Sequence, residues 1–234
     1  DITKVRSESG EFIAIPHLKN LFASTKSVLG DKAQNIKLIF SAFSHNYHSY
    51  NKWYYLDDIW SDKNIDAVGI DCYFPLNSDT TKHQATYQNI YDSWQKGEGW
   101  DYEYSDTDKQ NKNYLSKTFA WKNIKHWWRN VHINPDGRRT SWIPKSKPIW
   151  FTEIAYGSVD GTANEPVVFS GPYSKHYPTG SKGRSDLAAQ RTALDASIDY
   201  LSQCPGFIKQ TFVRYWDTRP YPFWPALPDK WQLP

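Results

Sequence analysis

Glu153 stands where a carboxylate is least expected. It follows Ile149, Trp150 and Phe151 and precedes Ile154 and Ala155, a run that folding should bury. A charge in that place must be ion-paired, hydrogen-bonded or used in chemistry. An interior Arg such as Arg214 or Arg219 would supply an ion pair, and the chemical reading makes Glu153 a catalytic carboxylate. Other polar groups close comparable apolar runs: His45 and Asn46 after 36–43, Asp71 and Tyr73 within 65–75, and Trp216, Asp217 and Arg219 at the end of 207–216 and just past it. Asp71 and Asp217 each suit a second carboxylate or a holder of sugar hydroxyls, and each equally suits the cap of the loop that follows.

Several chemistries lack their residues. No G-x-S-x-G elbow is present to present a serine nucleophile, and neither Cys72 nor Cys204 has recognisable His and Asn partners. His45 and His48 have no HExxH or comparable cluster beside them, so they read as polar loop residues rather than metal ligands. His45, as a group closing a strand, stays among the substrate-binding candidates. Neither a Rossmann glycine fingerprint nor a P-loop follows any strand-like run. No cofactor is expected. The two cysteines read as buried small hydrophobes.

The elements that must carry these groups are legible from periodicity. Ile15, Leu18, Leu21, Phe22, Val28 and Leu29 recur at near-helical spacing before Gly30, which predicts a helix over 12–29. Apolar runs of strand length follow at 36–43, 65–75, 147–154 and 207–216. Leu187, Ala188, Leu194, Ile198 and Leu201 predict a helix over 185–201, closed by Cys204, Pro205 and Gly206. Strands alternating with helices favour a parallel sheet in an α/β architecture, either doubly wound or barrel, and the missing dinucleotide fingerprint favours the barrel. In such a barrel the C-terminal strand ends converge on the active site, which is where Glu153 stands. The interval 77–146 is long enough to count as an inserted loop region. It holds a helix expected around 81–94, a polar stretch over 96–113 and a Trp-rich segment over 119–130.

Composition agrees with carbohydrate. Aromatic residues make up 17% of the chain, with 12 Trp and 16 Tyr. Rings with an apolar face and a polar edge suit sugars, though an aromatic-rich core would use them as well. The 28 basic and 25 acidic residues are scattered, giving a net charge of +3 without a basic run to follow phosphates, so nucleic acid is not the expected partner. No apolar stretch reaches the length of about 18 residues needed to span a bilayer, and no signal-peptide pattern opens the chain, so membrane insertion is not expected. The chain contains no Met and reads as a processed or partial product of one domain, 1–234.

The runs IDAVGIDCYFPL (65–76), SKPIWFTEIAYGSVDGTANEPVVF (146–169) and FVRYWDTRPYPFWP (212–225), with RSDLAAQR at 184–191, resemble the glycoside hydrolase TIM-barrel-like domain of tail-tip proteins in gene transfer agents and related phages. WFTE, D-G-x-A-N-x-P-x-x-F and W-D-x-R-P-Y-P occur in that family's order, and the similarity spans nearly the whole chain. The resemblance implies an α/β fold of the (β/α)8 TIM-barrel type, of which these strands would be the fifth to eighth, the C-terminal part. Glu153 would then be the nucleophile of a retaining hydrolase, ending the seventh strand. Trp216 would stack on a sugar, while Asp71, Tyr73, Asp217 and Arg219 hold hydroxyls.

A retaining mechanism places its second carboxyl about 5–5.5 Å from the first. By the resemblance that acid/base glutamate precedes Asp1, because Glu8 and Glu11 both lead into a helix rather than close a strand. The family's Ala-Asp-Trp after the first of these strands is replaced here by Ala42, Phe43 and Ser44. The expected function is binding, with possible hydrolysis, of a cell-envelope polysaccharide or peptidoglycan glycan. The alternative is a non-catalytic structural or glycan-binding module. The expected setting is the tail tip of a phage-like particle made in the bacterial cytoplasm, with other tail-tip proteins as partners.

Overall fold

The computed structural model describes residues 1–77, 85–106, 109–168, 176–203 and 206–214. Trp216, Asp217, Arg219 and Cys204 therefore lie outside the described residues, as does the first part of the helix expected around 81–94. The contacts group the chain into two compact units. The first is Asp1–Asp71, Lys117–Thr152 and Gly206–Thr211; the second takes described residues within 72–116, 153–205 and 212–214.

The sheet runs through the first unit. Its strands are β1 (Ile39–Phe43), β2 (Ala67–Cys72), β5 (Ile149–Ile154) and β6 (Ile208–Val213), in the order β1-β2-β5-β6. The last residue or two of β2, β5 and β6 are counted with the second unit. β1 and β2 pair in parallel from Ile39↔Ala67 to Phe43↔Asp71. Val68 N–H donates to the Pro148 carbonyl and Ile149 N–H to that of Phe207, which sets the other strands in the same direction. β2 is buried at every position but Asp71, as its unbroken apolar run predicts for a strand covered on both faces. Gly69 is required in it: a Cβ there would come within 2.5 Å of the Phe40 carbonyl oxygen and 2.6 Å of Ser41 Oγ. The backbones of β1 and β2 approach too closely for any side chain.

Helix α1 (Ala14–Leu29) buries Ala14, Ile15 and Phe22 and ends at Gly30, the stop expected from sequence, whose positive φ of 52° favours glycine. Phe22 meets Phe40 of β1 at 5.9 Å between ring centroids, and Phe40 meets Trp60 at 5.7 Å. Trp60 belongs to the short helix α2 (Asp57–Trp60). Asp66 joins helix to sheet, accepting from Lys26 Nζ at 2.8 Å and Leu38 N–H at 2.7 Å. The Trp-rich segment forms helix α4 (Ile124–Arg129), capped by Asn123 and anchored by buried Trp127.

In the second unit, α3 (Tyr87–Ser93) packs on α5 (Leu187–Ser202). Trp94 stacks on Tyr200 at 4.9 Å and 8°, and Tyr91 OH donates to Gln203 Oε1 at 2.8 Å. Asp186 caps α5 by accepting from Ala189 N–H at 2.8 Å. The polar stretch over 96–113, which carries no strand signal in sequence, contributes to an antiparallel ribbon, β3 (Tyr102–Tyr104) with β4 (Lys112–Tyr114). Its strands are three residues each, too short for alternation to register, and Lys112 Nζ lies 4.0 Å over the Tyr102 ring. Among the described residues no helix is long and apolar enough to cross a membrane.

Candidate active site

The final turn of β5 puts Glu153 in a partly open position in the second unit, with 24% of its side chain exposed. Two side chains hold one of its oxygens. Tyr73 OH donates to Oε2 at 2.6 Å, and Arg214 Nη1 donates to the same oxygen. The three are 80 and 61 residues apart in sequence, and strand ends supply all of them: Tyr73 directly follows β2 and Arg214 directly follows β6. Arg214 N–H also donates to the Ile154 carbonyl at 3.0 Å, which fixes its backbone beside β5.

Tyr73 is buried, and burial first and the Glu153 carboxylate second push its phenol well above its ordinary value. It is therefore a standing hydrogen-bond donor to the carboxylate. Arg214 is 45% exposed on its side chain, so its ion pair is partly screened by water. In the sequence Arg214 stands out only as a structural partner for Glu153, and Tyr73 only as a holder of sugar hydroxyls. The structure brings both onto one carboxylate oxygen.

Asp71, the other half-buried carboxylate at a strand end, has its own arrangement in the first unit. Ser41 Oγ donates to Thr152 Oγ1 at 2.9 Å, and Thr152 donates to Asp71 Oδ1 at 2.8 Å. The Asp71 carbonyl accepts from Ser44 Oγ at 2.9 Å. Neither Ser41 nor Thr152 was singled out in sequence, although both alternate with apolar neighbours in the way that places a side chain on one face of a strand. His45 is exposed, its ring edge-on to Phe43 at 5.6 Å and to Trp121 at 6.0 Å.

The D-G-x-A-N segment that follows β5 has a clear architectural task. Asp160 is buried and accepts from Ser181 Oγ, Lys182 N–H and Arg184 N–H at 2.7–2.8 Å, binding 181–184 to its own loop. Gly161 has a φ of 73°, and a Cβ there would press on Ser181 at 3.2 Å. Asn77 Nδ2 donates to Asn164 Oδ1 at 2.6 Å, both buried.

A second carboxylate inside an apolar run escaped the sequence reading: Asp57, between Leu56 and Ile59–Trp60, is 2% exposed. Its Oδ2 faces His132 Nδ1 at 2.8 Å and accepts from Thr140 Oγ1. His132 Nε2 donates to the Trp127 carbonyl at 2.9 Å, and the imidazole lies between Tyr54 (4.2 Å, 9°) and Trp142 (5.8 Å, 7°). Burial pushes the Asp57 carboxyl up, against the pull of His132 and Thr140. The signal that flagged Glu153 was present here too, but it gives no way to find a partner 75 residues on.

A family model described as the GTA TIM-barrel-like domain matches residues 1–225. No curated protein matches the chain.

Proposed function

The chain belongs to the GTA TIM-barrel-like domain family, a module of gene transfer agent particle proteins, and from that premise we propose that it engages cell-envelope glycan and cleaves it with Glu153 as nucleophile. The observation that carries this reading is the double hold on Glu153 Oε2 by Tyr73 and Arg214, with the carboxylate still partly open to solvent. A nucleophilic carboxylate must be ionised, aimed and reachable. A cation balances its charge, a phenol fixes one oxygen, and the exposed fraction lets substrate reach the group.

In this mechanism a Glu153 oxygen forms a bond to the anomeric carbon as the bond from that carbon to the leaving oxygen breaks. A second carboxyl gives its proton to that oxygen. Water then attacks the glycosyl ester, returns a proton to the second carboxyl and frees Glu153. Tyr73 is the described group of the same unit assigned to substrate hydroxyls; Asp71 and His45, which the sequence also offers for that role, belong to the other unit. Trp216, Asp217 and Arg219 keep the roles that the resemblance gives them. The setting that follows is a tail tip, with other tail-tip proteins around the module.

One observation favours a second reading, a barrel that binds glycan or serves as scaffold without turnover. The Arg214–Glu153 ion pair is what a strand-end carboxylate would form for purely structural reasons. An activated 2-deoxy-2-fluoro glycoside with a dinitrophenolate leaving group separates the two, because that leaving group departs without a proton donor. Under the hydrolase reading, mass spectrometry finds the covalent adduct on the peptide containing Glu153 in wild type and none in Glu153→Gln. An unlabelled wild-type protein that still binds envelope glycan would establish the non-catalytic reading.

A further inference from the structure

A cleft of about 680 Å³ lies wholly within the first unit and contains none of Glu153, Tyr73 or Arg214. That volume falls in the range of small-molecule sites. One part of its lining is apolar, from Phe12, Ile15 and Tyr55; the rest is charged and polar, from the start of α1 and from the turn 134–141. Most of its charges are already matched internally. Asp57 is taken by His132 and Thr140, Asp58 accepts from Ser141 Oγ, and Asp136 pairs with Arg138. Lys19, Arg139 and Glu11 are not matched: none has an ion pair or side-chain hydrogen bond among the described residues, although Lys19 is half-buried, and the two cations outnumber the one carboxylate.

We propose that this cleft binds a carboxylate-bearing ligand, held through its anion by Arg139 and Lys19 with its body against Phe12 and Tyr55. A guanidinium fork matches the two oxygens of a carboxylate, and an ammonium lining the same cleft adds charge without competing for geometry. The neighbouring Glu11, Asp58 and Asp136 carboxylates also line the cleft and repel a dianion more than a monoanion, which favours a carboxylate over a phosphate. Two envelope sources present this chemistry, a uronic acid within a polysaccharide and the free C-terminus of a short peptide.

Calorimetric titration of the full chain tests the proposal with four probes: an oligogalacturonate, its methyl ester, an acetylated alanine dipeptide and inorganic phosphate. At least one acid probe should bind, the ester should bind at least about tenfold more weakly, and Lys19→Gln and Arg139→Gln should each weaken the acid by about tenfold. Raising the salt concentration should weaken it as well. The tighter of the two acids identifies the source. Both variants remove exposed or half-exposed side chains, and an unchanged melting transition shows that they fold. Equal binding of acid and ester, unchanged binding by both variants, tighter binding of phosphate than of either acid, or no binding of any acid at millimolar concentration overturns the proposal. Labelling of Glu153 by the fluoro glycoside does not depend on Lys19, so failure of one reading leaves the other standing.

Discussion

Glu153 and Asp57 are both carboxylates set in apolar runs, and their surroundings divide them. Asp57 is 2% exposed, one oxygen without a partner among the described residues and the other shared between an imidazole and a hydroxyl, inside a stack of Tyr54, His132 and Trp142. Glu153 keeps 24% of its side chain in solvent and takes two donors on a single oxygen. A carboxylate this deeply buried, bonded to side chains from two other places in the chain, serves to tie segments together. A charge with the same local sequence signature but an open side and a fixed orientation is equipped to meet a substrate. Exposure and the chemistry of the partners, rather than the apolar run itself, separate the two roles.

That comparison breaks first on stability. Asp57→Ala leaves His132 Nδ1 and Thr140 Oγ1 without their shared partner in the interior, and urea unfolding should show a loss of about 3–5 kcal/mol. Asp160→Ala strands the Lys182 and Arg184 amides, and the same measurement should lose about 2–3 kcal/mol. Glu153→Gln should cost less than about 1 kcal/mol, because its ion pair is partly exposed, while abolishing any glycan turnover measured by reducing-end release. A Glu153 variant that unfolds as readily as the Asp57 variant would place both carboxylates in the structural class.

The smallest effect concerns acid. Burial raises the Asp66 carboxyl, but Lys26, the Leu38 amide and Lys37 outweigh it and hold the group below its ordinary 3.8. A carboxyl depressed in the fold stabilises fully above the unfolded value and loses that contribution as pH falls through the folded one. Wild type should thus exceed Asp66→Asn by at most about 1 kcal/mol at neutral pH, and the gap should close below pH 3.8. Unfolding of both proteins across pH 3–7 would read it.

The strands were open to reading from apolar runs of strand length: 36–43, 65–75, 147–154 and 207–216 contain β1, β2, β5 and β6, although only β2 is buried at nearly every position and β6 is largely exposed. The two 16-residue helices, α1 and α5, followed from periodicity and from Gly30 and the Cys204–Gly206 breakers. The ribbon β3–β4 was hidden because Tyr102, Tyr104 and Lys112 sit in a polar, glycine-bearing stretch whose pairing depends on tertiary context. At the candidate site, Glu153 was visible as a charge out of place. Its bond to Tyr73 and the Ser41–Thr152–Asp71 relay were not, since contacts over 80 to 111 residues leave no periodic trace. Asp57 and His132 are the same lesson in the core.

The turn over 134–138 has an engineering consequence. Asn134 N–H donates to the Arg138 carbonyl, Gly137 N–H returns to Asn134 O, and the Arg138 side chain is 87% exposed. Both approaches to the tip are moored: Tyr54 N–H to Asn134 Oδ1 on one side, and Thr140 and Ser141 to Asp57 and Asp58 on the other. Gly137 itself is to be kept, because its φ of 81° strains any other residue, but the space around it is open, with nothing within 4 Å of where a Cβ would stand. The tip is thus a natural port for new sequence, where an affinity tag, a fluorophore or relocated termini could be grafted while the flanks keep their anchors.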